Sequence, residues 1–398
     1  MRILQIANKF PYPAKDGGSI ATLSLGRSFA ALGHKVTILA VNTSKHFTDP
    51  ATVPAELAQT IRFISVPVNT EIKISKLVRN FFFSSWPYNA ERFISKDFDN
   101  TLRKLLIEEQ FDIIQLEGLY LAPYLETIRA HSVAKVVMRA HNIEHEIWER
   151  TVFLTKGLKK KYIRHLAGRI RRMEIQFLNR YDAVLPITSR DGDLLRKLGC
   201  RLPMKVVPMG LNAGEFLADH GKLEFPSVFH IGALDWIPNQ EGLLWFFENV
   251  WGKILKKHPG LLFYLAGRNA PPHFRALPYP NIAYIGEVEN AYDFIRSKAV
   301  MIVPVLSGSG MRIKIVEGMA LGKAIVTTSI GTEGIPTTNG IDILISDDPE
   351  EFAENVSRLV EDKNYCLEIG ENARNFAAIH YDNFAITSSL AEFYQKLP

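Results

Sequence analysis

The chain has 398 residues, 47% of them hydrophobic and 22% charged, a globular profile that is too long for one ordinary core and excludes a disordered chain, so two domains are expected. A net charge of +5 is small for this length, so where the cations cluster matters more than their sum. The two cysteines, Cys200 and Cys366, stand far apart with no His or Cys at metal spacing, which excludes a zinc site or a disulfide framework and suits a reducing cytosol.

Residues 2–7 are an apolar run that stops at a turn over 8–13, without the long apolar core and cleavage site of a signal peptide. No run of about 18 apolar residues occurs, so any membrane contact is expected on the surface. Gly17 and Gly18 precede a helical pattern through Leu32, and 36–41 is a second apolar run; strand, loop, helix and strand make a βαβ unit. Buried strands follow over 61–66, 113–116, 135–140 and 183–187. The pattern restarts with strands over 228–231, 261–266, 282–285, 300–305 and 324–327, an amphipathic helix over 240–256 and a helix over 313–320. Asp348, Pro349 and Glu351 spell a helix start in which Asp348 caps and Glu351 closes a capping box. Strands alternating with helices predict parallel sheets covered on both faces. The break between halves falls in the Gly- and Pro-bearing stretch 197–214. The expected domains are 1–200, with a final helix over 384–398 packing back on it, and 201–383.

Four segments carry a resemblance: FPYPAKDGGS near the start, RAHNIEHEIWER at 139–150, GALDWIPNQEGLLWF at 232–246, and GSGMRIKIVEGMALGKAIVTTSIGTEGI at 308–335. In order and spacing they resemble the retaining glycosyltransferases of family four, over nearly the whole chain. The resemblance implies the GT-B fold, two Rossmann-like doubly wound parallel-sheet domains facing across a cleft. It implies transfer of a sugar from a UDP- or GDP-sugar to a glycan or lipid-linked acceptor, in surface polysaccharide synthesis. The alternatives are a nucleotide-sugar epimerase on the same fold, or a catalytically weakened nucleotide-binding partner subunit.

The resemblance also assigns residues. Glu317 accepts hydrogen bonds from the ribose diol of the donor, for which a carboxylate has the right two acceptors. Gly308, Ser309 and Gly310 let backbone N–H groups approach a pyrophosphate at a helix start. Ser309 stands where the commonest family pattern has a Glu, so it can bind a sugar hydroxyl without bringing charge. Ala233 and Glu241 stand where many members have an Arg and a Lys. The charge growing on the leaving group then needs another cation: Arg312 first, Lys314 second, Arg268 third. Arg312 and Lys314 lie two apart, so on a helix they would point in different directions. Gly17 and Gly18 approach the donor and acceptor, and His141 faces the transferred sugar from the end of its strand. No convincing D-x-D motif appears and no metal or cofactor is expected; Asp191 and Asp193 read as a helix start.

Two stretches remain. Residues 156–172 hold eight cations, and 73–92 mix Lys76 and Arg79 with Phe81, Phe82, Phe83 and Trp86. A cationic helix beside aromatics fits peripheral contact with an anionic membrane, at the inner face of the cytoplasmic membrane; a solvated helix face over core aromatics explains them equally. No nucleic-acid module is visible.

Overall fold

A computed structural model describes every residue except 15, 213–215, 217–222, 308 and 309, and leaves the side chains of residues 154 and 158 aside. The chain divides into two compact units, Met1–Gly210 with Asn383–Pro398, and Leu211–Asp382.

The first unit is built on β1 (Arg2–Ala7), β2 (Lys35–Thr43), β3 (Ile61–Val68), β4 (Ile113–Glu117), β5 (Lys135–Ala140) and β6 (Ala183–Pro186). All pairings are parallel, in the order β3-β2-β1-β4-β5-β6. Its strands are apolar on both faces because helices cover both. Leu4, Leu39 and Leu116 face one core, whereas Ile3, Ile38 and Val137 face the other. The final helix, Asn383–Gln395, covers part of the second face: Leu390 is fully buried and the Tyr394 ring stacks 5.9 Å from Phe29.

The second unit repeats the plan with β7 (Glu224–Ile231), β8 (Phe263–Ala266), β9 (Ile282–Gly286), β10 (Lys298–Val303), β11 (Ala324–Thr327) and β12 (Leu344–Ile345), in the parallel order β12-β11-β10-β7-β8-β9. In each sheet the order reverses beside the first strand, at β1/β4 and β7/β10. Connections leave these neighbours in opposite directions, which opens a crevice at their carboxyl ends.

The structure departs from the sequence-based reading in several places. Residues 201–210 go with the first unit, because Lys205 N donates to Val184 O (3.3 Å) and Val207 N to Pro186 O (2.8 Å), extending the edge at β6. The helix expected over 240–256 is three pieces, Ile237–Phe246, a π-helical turn Phe247–Trp251, and Gly252–Lys257. The wider turn brings the consecutive rings of Phe246 and Phe247 both inward, against Phe263. Asp348 does cap its helix, accepting from Glu350 N and Glu351 N. The box is not closed by Glu351, however: Ser346 Oγ takes Asp348 N (3.2 Å) and donates to Glu351 (2.8 Å). Finally β12, two residues long, is too short for any periodicity to announce it.

Candidate functional site

In the second unit the crevice at β7 and β10 is organised around Lys314, in the first turn of the helix Ile313–Ala320. Its Nζ donates to Asn239 Oδ1 (2.9 Å) and to His230 Nε2 (3.3 Å). Both acceptors are fixed from behind. Asn239 Nδ2 donates to Ala233 O (2.8 Å), which turns the amide oxygen toward the lysine. His230, wholly buried on β7, uses Nδ1 on Ile302 O (2.9 Å), which leaves Nε2 as the acceptor. Burial, and then the neighbouring ammonium, hold the imidazole well below its usual pKa, so it is neutral. Burial and then the Arg312 charge, partly offset by Glu317, push Lys314 down to about 7. No carboxylate pairs with it among the described residues. Gly232 makes the arrangement possible: a Cβ there would lie 2.5 Å from Lys314 Nζ.

Arg312 is not helical. It is the residue before the helix (φ −83°, ψ 87°), so the expectation that two-apart positions diverge does not apply, and the two cations lie close enough to repel. Arg312 is buried, donates to Gly310 O and lies 5.6 Å over the Trp236 ring. Gly310, at φ +82°, takes a backbone conformation few other residues adopt readily. Arg268 follows β8 as an exposed residue whose backbone carbonyl accepts from Leu234 N (2.9 Å). Gly308 and Ser309 lie outside the described residues. Glu241, in the place of a family cation, accepts from Ser307 Oγ (2.7 Å) and so braces the loop after β10.

Glu317 lies one turn beyond Lys314, half-buried, and its Oε1 accepts from Tyr292 Oη (3.2 Å). The Tyr292 ring packs 4.8 Å from Phe216, and it helps to line an open recess of about 580 Å³ with Asn290 and Asp293.

In the first unit the crevice at β1 and β4 is a cavity of about 180 Å³, lined among others by Asp16, Gly18, Ser19, Glu117, His141 and Glu144. Glu117 ends β4 and is buried. Its Oε1 accepts from Gln5 Nε2 (3.3 Å) and Gln115 Nε2. Its Oε2 meets His141 Nε2 at 2.7 Å and Arg139 Nη1 at 3.8 Å. Burial alone would raise its pKa; the His141 hydrogen bond and the Arg139 charge outweigh it and hold the carboxyl below its usual range. Tyr394 Oη donates to Gln115 Oε1, so the returning helix braces the same network. Gly17 and Gly18 are the first two residues of the helix Gly17–Ala31, capped by Asp16, which accepts from Ser19 N (3.0 Å) and pairs with Lys9. Ser19 Oγ is buried in this cavity wall with no partner among the described residues. Glu144 is pushed up to about 7 by burial and the Glu174 charge, against the Tyr120 hydrogen bond.

The candidates thus fall into two groups: Lys314, Arg312, Gly310 and Glu317 in the second unit, and His141, Gly17 and Gly18 in the first. Sequence reasoning missed His230, Asn239, Tyr292, Glu117 and Ser19. One had a signal: His230 is a polar residue inside an apolar strand, where a buried polar group must serve a partner, and Gln5, likewise placed, points to Glu117. Among the described residues no three His, Cys, Asp or Glu side chains are grouped to hold a metal, and no helix is long and apolar enough to cross a membrane.

Two family models cover most of the chain. One described as Glycosyltransferase Family 4 matches residues 15–215, half of it, and one described as Glycosyl transferases group 1 matches 225–362. With two six-stranded parallel sheets of Rossmann-like order, this defines a glycosyltransferase of GT-B fold. The chain belongs to Glycosyltransferase Family 4. A curated relative, an uncharacterized 44.6 kDa protein in the cps region of Klebsiella pneumoniae, is 24% identical over 98% of both chains. Among solved structures, sucrose-phosphate synthase of Thermosynechococcus elongatus aligns with a TM-score of 0.71 at 16% identity, covering 100% of this chain and 99% of that one. HepE of Anabaena in complex with UDP aligns at 0.69 and 14% identity, covering 100% of both.

Proposed function

We propose that this glycosyltransferase is a retaining, metal-independent enzyme that moves a sugar from a UDP- or GDP-sugar to a hydroxyl of a glycan or lipid-linked acceptor, in surface polysaccharide synthesis in the cytoplasm. The observation that carries this reading is Lys314: an ammonium held against two neutral acceptors, beside Arg312 and at the start of a helix, with no carboxylate paired to it among the described residues. Two cations and a helix N-terminus make a site for a dianionic diphosphate. Glu317, one turn on, offers acceptors to a ribose diol, and the Tyr292–Phe216 pair offers a ring face to a base. The HepE neighbour carrying UDP and the relative from a cps region agree with donor and pathway class.

In this reading the bond from the anomeric carbon to the phosphate oxygen breaks, and the two cations stabilise the charge left on the diphosphate. The acceptor oxygen bonds to the same face of that carbon, and its proton passes to the departing phosphate oxygen. Glu117 holds His141 toward the cavity, where Ser19 Oγ has a hydrogen bond to give. Thermal-shift titration with UDP, GDP, ADP and their sugars tests the donor. A ligand at a hundred times its dissociation constant adds about 2.7 kcal/mol, and Glu317→Ala is expected to abolish the shift. If no nucleotide stabilises the protein, or Glu317→Ala shifts as the parent does, the reading fails. Product formed from donor alone would point to an epimerase instead.

A further inference from the structure

The helix Ile74–Phe83 in the first unit is amphipathic in the wrong sense for a core element. Its inward side carries Leu77, which packs on the core, and the buried Asn80. Its outward side carries Ile74, Val78 and Phe82, one above another at i, i+4 and i+8, with exposures of 80%, 48% and 68%. Phe81 extends this apolar strip and Phe83, 86% exposed, ends the helix. Isolated exposed apolar side chains need no explanation, but an aligned strip of this kind does.

The strip does not stand alone. Arg169, buried on the helix Gly157–Phe177, clamps the end of the first helix, donating to Asn80 O (3.1 Å), Asn80 Oδ1 (3.0 Å), Ser84 O and Trp86 O (2.6 Å). The Phe81 ring lies 4.7 Å from the His165 ring. This fixes the strip beside a helix whose stretch 156–172 holds eight cations and no carboxylate. Lys161, Arg164, Arg171 and Arg172 are exposed there. Arg172 and His165 line a recess of about 440 Å³ with Phe81 and Trp86, at the seam of the two helices. The nearby acids do not cancel this charge: Glu91 is held by Asn80 and Arg79 and Glu174 by His145, which leaves Glu71 and Glu149 against the eight cations.

From this placement we propose that the Ile74–Phe83 helix and the cationic side of the Gly157–Phe177 helix form a docking face for an anionic lipid bilayer. The apolar strip enters the acyl boundary and the cations meet the headgroups. Charge decides the occupant. An apolar strip flanked by cations of one sign matches a surface that is apolar within and anionic at its edge. Since no described helix can cross a bilayer, this face lies along it. Hydrophobic insertion needs the strip, whereas the cations act within a Debye length of about 8 Å at physiological salt.

Flotation of the full chain with phosphatidylcholine vesicles, with or without about 30% phosphatidylglycerol, tests this. The parent is expected to partition about tenfold or more in favour of the anionic vesicles. Ile74→Asp with Phe82→Asp is expected to lose that partition while melting and binding nucleotide as the parent does, since both side chains are exposed. Lys161→Glu with Arg164→Glu is expected to lose it too, isolating the charge. Equal flotation on both vesicles, no flotation, or flotation unchanged in either variant overturns the proposal. So does a parent dimer that the Ile74→Asp, Phe82→Asp variant converts to monomer, which would give the strip to a second copy.

Discussion

At the ends of β7 and β10 a lysine stands against an imidazole and an amide, both neutral. At the ends of β1 and β4 a glutamate stands among two amides, an imidazole and a guanidinium. Glu117 is buried and Lys314 part-buried, each at a topological switch point, yet they are treated oppositely. Glu117 receives more stabilisation than its burial costs and keeps its charge; Lys314 receives less and gives its proton up readily. A site whose charge is already satisfied holds its shape and offers hydrogen bonds to neutral groups. One whose charge is unsatisfied waits for an anion.

The largest effect should come from the unsatisfied side. Lys314→Ala removes a cation from the growing charge of the leaving group and is expected to lower kcat/KM about a hundred- to a thousandfold, measured as nucleotide release. The same residue gives a pH signature. Below about 7 folded and unfolded chains both carry the proton. Between about 7 and 10.5 only the unfolded chain does, so stability of the free protein rises with pH there, and Lys314→Met should flatten the rise. A bound diphosphate restores the charge. Nucleotide binding near pH 8 should therefore take up as much as about one proton and weaken by up to about tenfold per pH unit above 7. Calorimetry in two buffers of different ionisation enthalpy measures the uptake. Equal heats in both would mean that Lys314 does not meet the ligand's charge.

The comparison also marks what the sequence could tell. The alternation of apolar runs and helices was enough for two parallel sheets, because strands buried on both faces must be largely apolar, as 300–303 is throughout and 3–7 is but for Gln5. Glu317 and His141 are named by the surrounding motif, and the structure places each at the carboxyl end of its own unit's sheet or on the helix beside it. The sequence does not say which of Arg312 and Lys314 finds neutral partners. Those partners, His230 and Asn239, are 84 and 75 positions away and are brought in by the fold alone. The apolar run ends at residue 116, so nothing in the pattern marks Glu117 as the last residue of its strand. Tyr292 carries no motif and reaches Glu317 across 25 positions.

The satisfied side should answer in stability before activity. Glu117→Gln keeps the shape but removes the negative charge facing Arg139, and breaking a buried pair costs about 3 kcal/mol. Urea unfolding at pH 7 should show the loss. The sign with pH follows from the lowered carboxyl. Its contribution is present above the unfolded value of 4.5 and is lost as pH falls through the folded value, so parent and variant should converge in acid. A variant as stable as the parent at pH 7 would mean that the amides and the imidazole hold the crevice without the charge, and the contrast with Lys314 would lose one half.

The smallest effect lies where the two kinds of site meet in one residue. Glu317 is a carboxylate that accepts from a neutral donor, Tyr292 Oη at 3.2 Å, and is proposed to accept from the ribose as well. If the tyrosine sets the direction of the carboxylate, Tyr292→Phe should weaken nucleotide binding by the worth of one hydrogen bond, about 1 kcal/mol or roughly fivefold. The ring would remain 4.8 Å from Phe216, so the melting temperature should stay put. If instead the hydroxyl competes with the ribose, the same change should tighten binding, since an acceptor is released. The sign of this small change therefore tells whether Glu317 is prepared for its ligand, as Glu117 is prepared for His141, or is merely occupied until the ligand arrives, as Lys314 is by Asn239.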